Sequence, residues 1–147
     1  MNLSNLVDRF FKAKTTTRSS HKVIKVDNKI IYQLYGSTLI RWYSDKNILE
    51  IRPYTNYFEF SPTTQRAFRR FGIVFSNRNG KLTLKQINYK GGRFRTFNIP
   101  VEQGQVLLIK YYTHDITVWV ARESSVDSFV REFRVEEVSN LLRSGEV

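Results

Sequence analysis

The sequence predicts an α+β fold: an antiparallel sheet or partly open barrel with short helices at its N-terminal, central and C-terminal positions. Three observations predict it. Between residues 22 and 122 the apolar residues come in strand-length runs parted by turn signals, among them Asp27-Asn28, Asn79-Gly80 and Gly91-Gly92. Ser61-Pro62-Thr63-Thr64-Gln65-Arg66-Ala67-Phe68-Arg69-Arg70-Phe71-Gly72 interrupts that series with the punctuation of a helix. Helical spacing otherwise returns only towards the two ends of the chain.

Leu3, Leu6, Val7, Phe10 and Phe11 recur at the spacing of one helix face, which predicts an amphipathic helix within residues 1–14. The polar run from Thr15 to His21 has no period and reads as a linker. Strands follow. Val23-Ile24 and Ile30–Tyr35 flank the Asp27-Asn28 turn, and Thr38–Tyr43 and Ile48–Arg52 flank Ser44-Asp45-Lys46-Asn47, with a short further strand at Tyr57–Phe60. The central helix spans 62–71. Ser61 is its N-cap, Pro62 needs no N–H in the first turn, and Gly72 can take the left-handed conformation that stops it. Thr64, Ala67, Phe68 and Phe71 fall on one side of this helix, and Gln65, Arg66, Arg69 and Arg70 on the other.

Beyond it, Ile73–Ser76 and Leu82–Tyr89 flank Arg78-Asn79-Gly80, the strongest short hairpin signal in the chain. Lys90-Gly91-Gly92 turns into Arg93–Ile99, where Pro100 is expected to end the strand, and Val106–Tyr112 and Ile116–Ala121 complete the sheet. Phe129, Val130, Phe133, Val138, Leu141 and Leu142 predict a C-terminal helix over 124–143. Nothing divides residues 1–147 into more than one domain.

The charge is lopsided. Lys and Arg number 24 against 13 Asp and Glu, a formal net charge of +11, which favours a polyanionic partner. No acid occurs from Phe60 to Val101, whereas Glu123, Asp127, Glu132, Glu136, Glu137 and Glu146 crowd the C-terminal end. There are no cysteines, which excludes disulfides, thiolate metal sites and thiol catalysis, and only two histidines. No apolar run approaches the roughly 18 residues of a membrane helix. The N-terminal stretch also lacks the basic start and apolar core of a signal peptide, so the expectation is a cytoplasmic protein without membrane contact.

Tyr32-Gln33-Leu34-Tyr35-Gly36-Ser37-Thr38-Leu39-Ile40, the hairpin running to Ile51, Thr55, and Ser61-Pro62-Thr63-Thr64-Gln65-Arg66 together resemble a pattern in small uncharacterised bacteriophage proteins. In that pattern a strand with Ser or Thr precedes a hairpin and a Thr-Thr helix start. The resemblance, over about residues 30–72, implies a phage or mobile-element accessory protein in the host cytoplasm.

The function expected from the residues is non-catalytic nucleic-acid binding, with single strands or RNA favoured. Arg66, Arg69 and Arg70 on the central helix form one expected anchor, and Lys90, Arg93 and Arg95 around a glycine turn another. Arg93 and Arg95 share a strand face with Phe97, so they are expected to project together while Phe94 turns inward. Lys81 and Lys85 fall out of phase with Lys90 and are not included. Arg41 with Trp42 offers a guanidinium and a ring for stacking. The competing readings are a solvated cationic face, an accessory factor whose terminal helices dock on a host protein, and a small ribonuclease using His114, Glu59 and an arginine. No spacing demands catalysis, a metal or a cofactor, and homo-oligomerisation stays open.

Overall fold

Strand pairing divides the chain into a large and a small antiparallel sheet. The computed structural model describes residues 21–54, 62–90 and 92–131. The expected helix within residues 1–14, nearly all of the 15–21 linker, the strand at Tyr57–Phe60 and the helix beyond 131 lie outside the described residues. Strands β1 (His21–Val26), β2 (Lys29–Leu34), β3 (Ser37–Tyr43) and β4 (Ile48–Ile51) form a meander, followed by helix α1 (Pro62–Arg70). Then come β5 (Ile73–Arg78), β6 (Lys81–Lys90), β7 (Arg93–Val101), β8 (Gln105–Tyr111) and β9 (Ile116–Arg122). A 3-10 turn, Glu123–Ser125, leads into helix α2 (Val126–Arg131).

The large sheet has the order β1-β2-β3-β4-β8-β9, and β5-β6-β7 form the small one. The fold is therefore α+β, dominated by open antiparallel sheet. Local chemistry sets the hairpins. Tyr35-Gly36 and Asn79-Gly80 take positive φ at both positions (51° and 79°, 53° and 75°), the geometry that matches the twist of the strands they join.

One apolar core lies between the sheets. Tyr32, Leu39, Trp42, Leu49, Ile51, Leu107 and Ile109 from the large sheet meet Ile73, Phe75, Leu84, Ile87, Phe97 and Ile99 from the small one. Helix α1 adds Ala67 and Phe68, with Phe71 just beyond its end. Phe71 meets Tyr32 edge-on at 5.0 Å and Phe68 meets Phe75 at 5.4 Å, so the buried face read from the sequence is the one that packs. Burying each such side chain contributes about 1.5–3 kcal/mol. Gln65 Nε2 donates to the Phe75 carbonyl at 3.1 Å, which holds α1 along the edge of β5 that β6 leaves unpaired.

On the other face of the large sheet Tyr43, Ile48, Val106 and Leu108 form a second cluster, covered by Val126 and Val130 of α2. The small sheet has no such cover among the described residues: Arg78, Lys81, Lys85, Phe94, Thr96, Asn98 and Pro100 are all exposed. Pro100 corrects one expectation. It does not end β7, which runs on to Val101, because β7 is an edge strand and one missing N–H is tolerated there.

Candidate nucleic-acid interface

The outer face of the small sheet is built by a bulge. Along β6, Leu82 and Leu84 point into the core and Lys81, Thr83 and Lys85 away from it. Strict alternation would then bury Gln86 and expose Ile87. Instead Val74 pairs with Gln86 and Phe75 with Leu84, so Lys85 is an extra residue opposite β5. It resets the phase. Ile87 is buried, and Gln86 and Asn88 join the outer face, where Gln86 Nε2 donates to Asn88 Oδ1 at 2.9 Å.

That face carries Ser76 and Arg78 from β5, Lys81, Thr83 and Lys85 from β6, and Phe94, Thr96 and Asn98 from β7. No acid occurs anywhere in the segment that builds the sheet. Arg78 and Lys81 sit opposite each other at the hairpin end. A shallow concavity of 520 Å³ lies between Ser76, Arg78, Asn79, Lys81, Thr83 and Lys85. Lys85 Nζ donates to Asn98 Oδ1 at 2.9 Å, and neither Arg78 nor Lys81 has an ion pair among the described residues. Cations, amides and hydroxyls on this face can therefore meet phosphate and base edges, with no carboxylate paired to Arg78 or Lys81 among the described residues.

Phe94 is 56% exposed at the far end of this face, opposite Asn88. The sequence expects it to turn inward, and it does not. The alternation along β7 is as read, with Arg93, Arg95 and Phe97 on one side. The apolar series Phe97, Ile99 and Val101 decides which side is inner, and it assigns that side to the arginines' row.

The expected site residues separate into three groups. Arg66, Arg69 and Arg70 are exposed on α1, beside the β5 edge, and none has an ion pair among the described residues. Arg66 Nη2 reaches Thr63 Oγ1 at 3.5 Å. Arg93 is exposed at the start of β7 and pairs through its backbone with Lys90, the last residue of β6. Arg95 is engaged elsewhere: its Nη1 donates to Asp115 Oδ1 at 2.8 Å and to the Ile116 carbonyl at 3.0 Å, and its guanidinium lies 5.8 Å from the Phe97 ring. It clips the small sheet to the β8–β9 turn.

Trp42 and Arg41 do not form a stacking pair. Trp42 is fully buried and meets Tyr111 edge-on at 5.9 Å, so its ring is closed to a base. Arg41, on the opposite face of β3, donates from Nη1 to Glu50 Oε2 at 3.0 Å. Glu50 is fully buried and also accepts from Arg52 Nη1 at 2.9 Å and from the Tyr43 hydroxyl at 2.9 Å. Burial and the neighbouring carboxylate push the Tyr43 phenol well above its ordinary pKa. Of the residues weighed for catalysis, His114 is exposed, Glu59 lies outside the described residues, and the Asp115 carboxylate already accepts from Arg95 and from the Ile116 N–H.

Two groups escaped the sequence reading. Lys81 and Lys85 were excluded by their phase, which the bulge changes. Glu50 and Arg52 fall within the strand expected over Ile48–Arg52, and the sequence reading assigns them no role. The acid flanked by Arg41 and Arg52 across a hairpin was the available signal. Comparison of the chain with protein-family models, curated proteins and solved structures finds no match.

Proposed function

We propose that the chain binds single-stranded nucleic acid, RNA or DNA, without cutting it, across the outer face of the small sheet. The acid-free array Arg78, Lys81 and Lys85, on the same sheet face as an exposed Phe94 at its far end, is the observation that carries this reading. Its lysines and arginine would contact phosphates, Gln86, Asn88, Thr96 and Asn98 would face base edges, and the Phe94 ring would stack a base. Arg66, Arg69 and Arg70 would extend the positive field past the β5 edge. An open sheet face suits unpaired bases better than a duplex, whose grooves call for a protruding helix or ribbon.

Fluorescence anisotropy with single-stranded RNA, single-stranded DNA and duplex DNA over a salt series tests it. With three or four phosphate contacts, log affinity for a single strand should fall against log salt with a slope of about −2 to −3. Changing Arg78, Lys81 and Lys85 together to Ala should reduce that slope by about 2. An unchanged slope in the triple variant, or no single-strand affinity at low salt, would overturn the reading.

A further inference from the structure

We propose that a second cleft, on the α2-covered side of the large sheet, binds a small oxyanion, a ligand carrying a phosphate or carboxylate group. Arg41 and Arg52 are its anchors, and Glu123 is a resident competitor for Arg52. The cleft, 420 Å³ in volume, opens between the Gly36–Thr38 and Gln103–Gln105 turns with Arg41, Arg52 and Glu123 in its wall.

Among the described residues its charge is balanced by a replaceable group. Two guanidiniums converge on one carboxylate, the fully buried Glu50, which leaves one positive charge over. Glu123 neutralises it from the 3-10 turn by pairing with Arg52 Nη2, while its side chain stays 53% exposed. Glu123 is the exposed partner of this pair and Arg52 the more buried one, so solvent screens the carboxylate's hold and an incoming anion can displace it from Arg52. Glu50 cannot be displaced in the same way, being enclosed and held by three donors.

Arg41 has donors to spare. Only its Nη1 is used, both of its contacts going to Glu50, so Nε and Nη2 bond to nothing among the described residues although the side chain is 29% exposed at the cleft. Ser37 and Gln103 line the same cleft and likewise make no side-chain hydrogen bond among the described residues. Spare guanidinium donors, a hydroxyl and an amide around such a volume suit a polar anion of metabolite size.

The test follows backbone amide resonances of Gly36, Gly104 and Gln105 by NMR while the full chain is titrated, at constant ionic strength held with sodium chloride. Inorganic phosphate is one probe and citrate the other, which separates phosphate from carboxylate ligands. Saturable shifts with either probe, tightened about threefold or more in E123Q and weakened about tenfold in R41Q, are expected. E123Q leaves the Glu50 network intact, so it remains informative if R41Q fails to fold. Absence of saturable shifts with both probes in wild type and E123Q overturns the proposal, as does equal affinity in those two proteins. K85A, on the small sheet, should bind the probes like wild type whether or not the nucleic-acid reading holds.

Discussion

Glu50 and Trp42 sit on paired strands, on opposite faces of the large sheet, and answer opposite demands. Trp42 is legible as apolar core, and its truncation to Ala should cost about 3–5 kcal/mol in urea unfolding. Glu50 is a buried charge tolerated only because Arg41, Arg52 and Tyr43 surround it. Replacing Tyr43 by Phe removes one of those donors and should cost about 1–3 kcal/mol. Arg95 separates structure from function at the same scale. If it is a clip to Asp115, R95A should lower stability by about 1 kcal/mol or less and leave the salt slope of nucleic-acid binding unchanged. Tyr32 gives a pH signature. Burial, offset in part by Arg70, raises its phenol to about 12 from 10.0. Its contribution is therefore complete below the unfolded value and is lost as pH rises towards the folded one. Stability should fall between those limits, and in Tyr32→Phe it should fall less steeply, which urea titrations at stepped alkaline pH would measure.

At the scale of elements, what could be read from sequence was what local chemistry decides. Asn79-Gly80 announces its hairpin because both residues accept positive φ, and Gly80→Ala, with open space around the added carbon, should still cost about 1–2 kcal/mol through backbone strain alone. The central helix was legible for the same reason, its Gly72 stop at positive φ and its buried stripe lying close together in the chain, while the expected cap Ser61 lies outside the described residues. The inner side of β7 and the phase of β6 were not. Alternation gives two faces without naming the inner one, and the Lys85 bulge exists only in relation to β5. That is why Phe94 faces out where the sequence expects it inward, although the strand that carries it lies where the sequence places it.

For the whole molecule, the net charge pointed to a polyanion but not to where one would lie. Packing divides the cations: Arg41, Arg52 and Arg95 go to internal ion pairs, while Arg78, Lys81, Lys85 and the α1 arginines stay on the surface. Carboxylates from Glu50 and Glu123 serve the large sheet, and Asp115 takes Arg95 of β7 at the β8–β9 turn, so among the described residues the cations on the outer face of the small sheet stay without an ion pair. One topological feature has a broader effect. The chain leaves the large sheet at Ile51, builds α1 and the small sheet, and returns at Gln105 to lie alongside the strand it left, with Ile51 opposite Leu107. The whole excursion is in effect one oversized hairpin loop. Closure entropy grows only logarithmically with length, about 0.6 kcal/mol per doubling, so insertions into this excursion are cheap to span even though the β4–β8 seam must wait for it to fold.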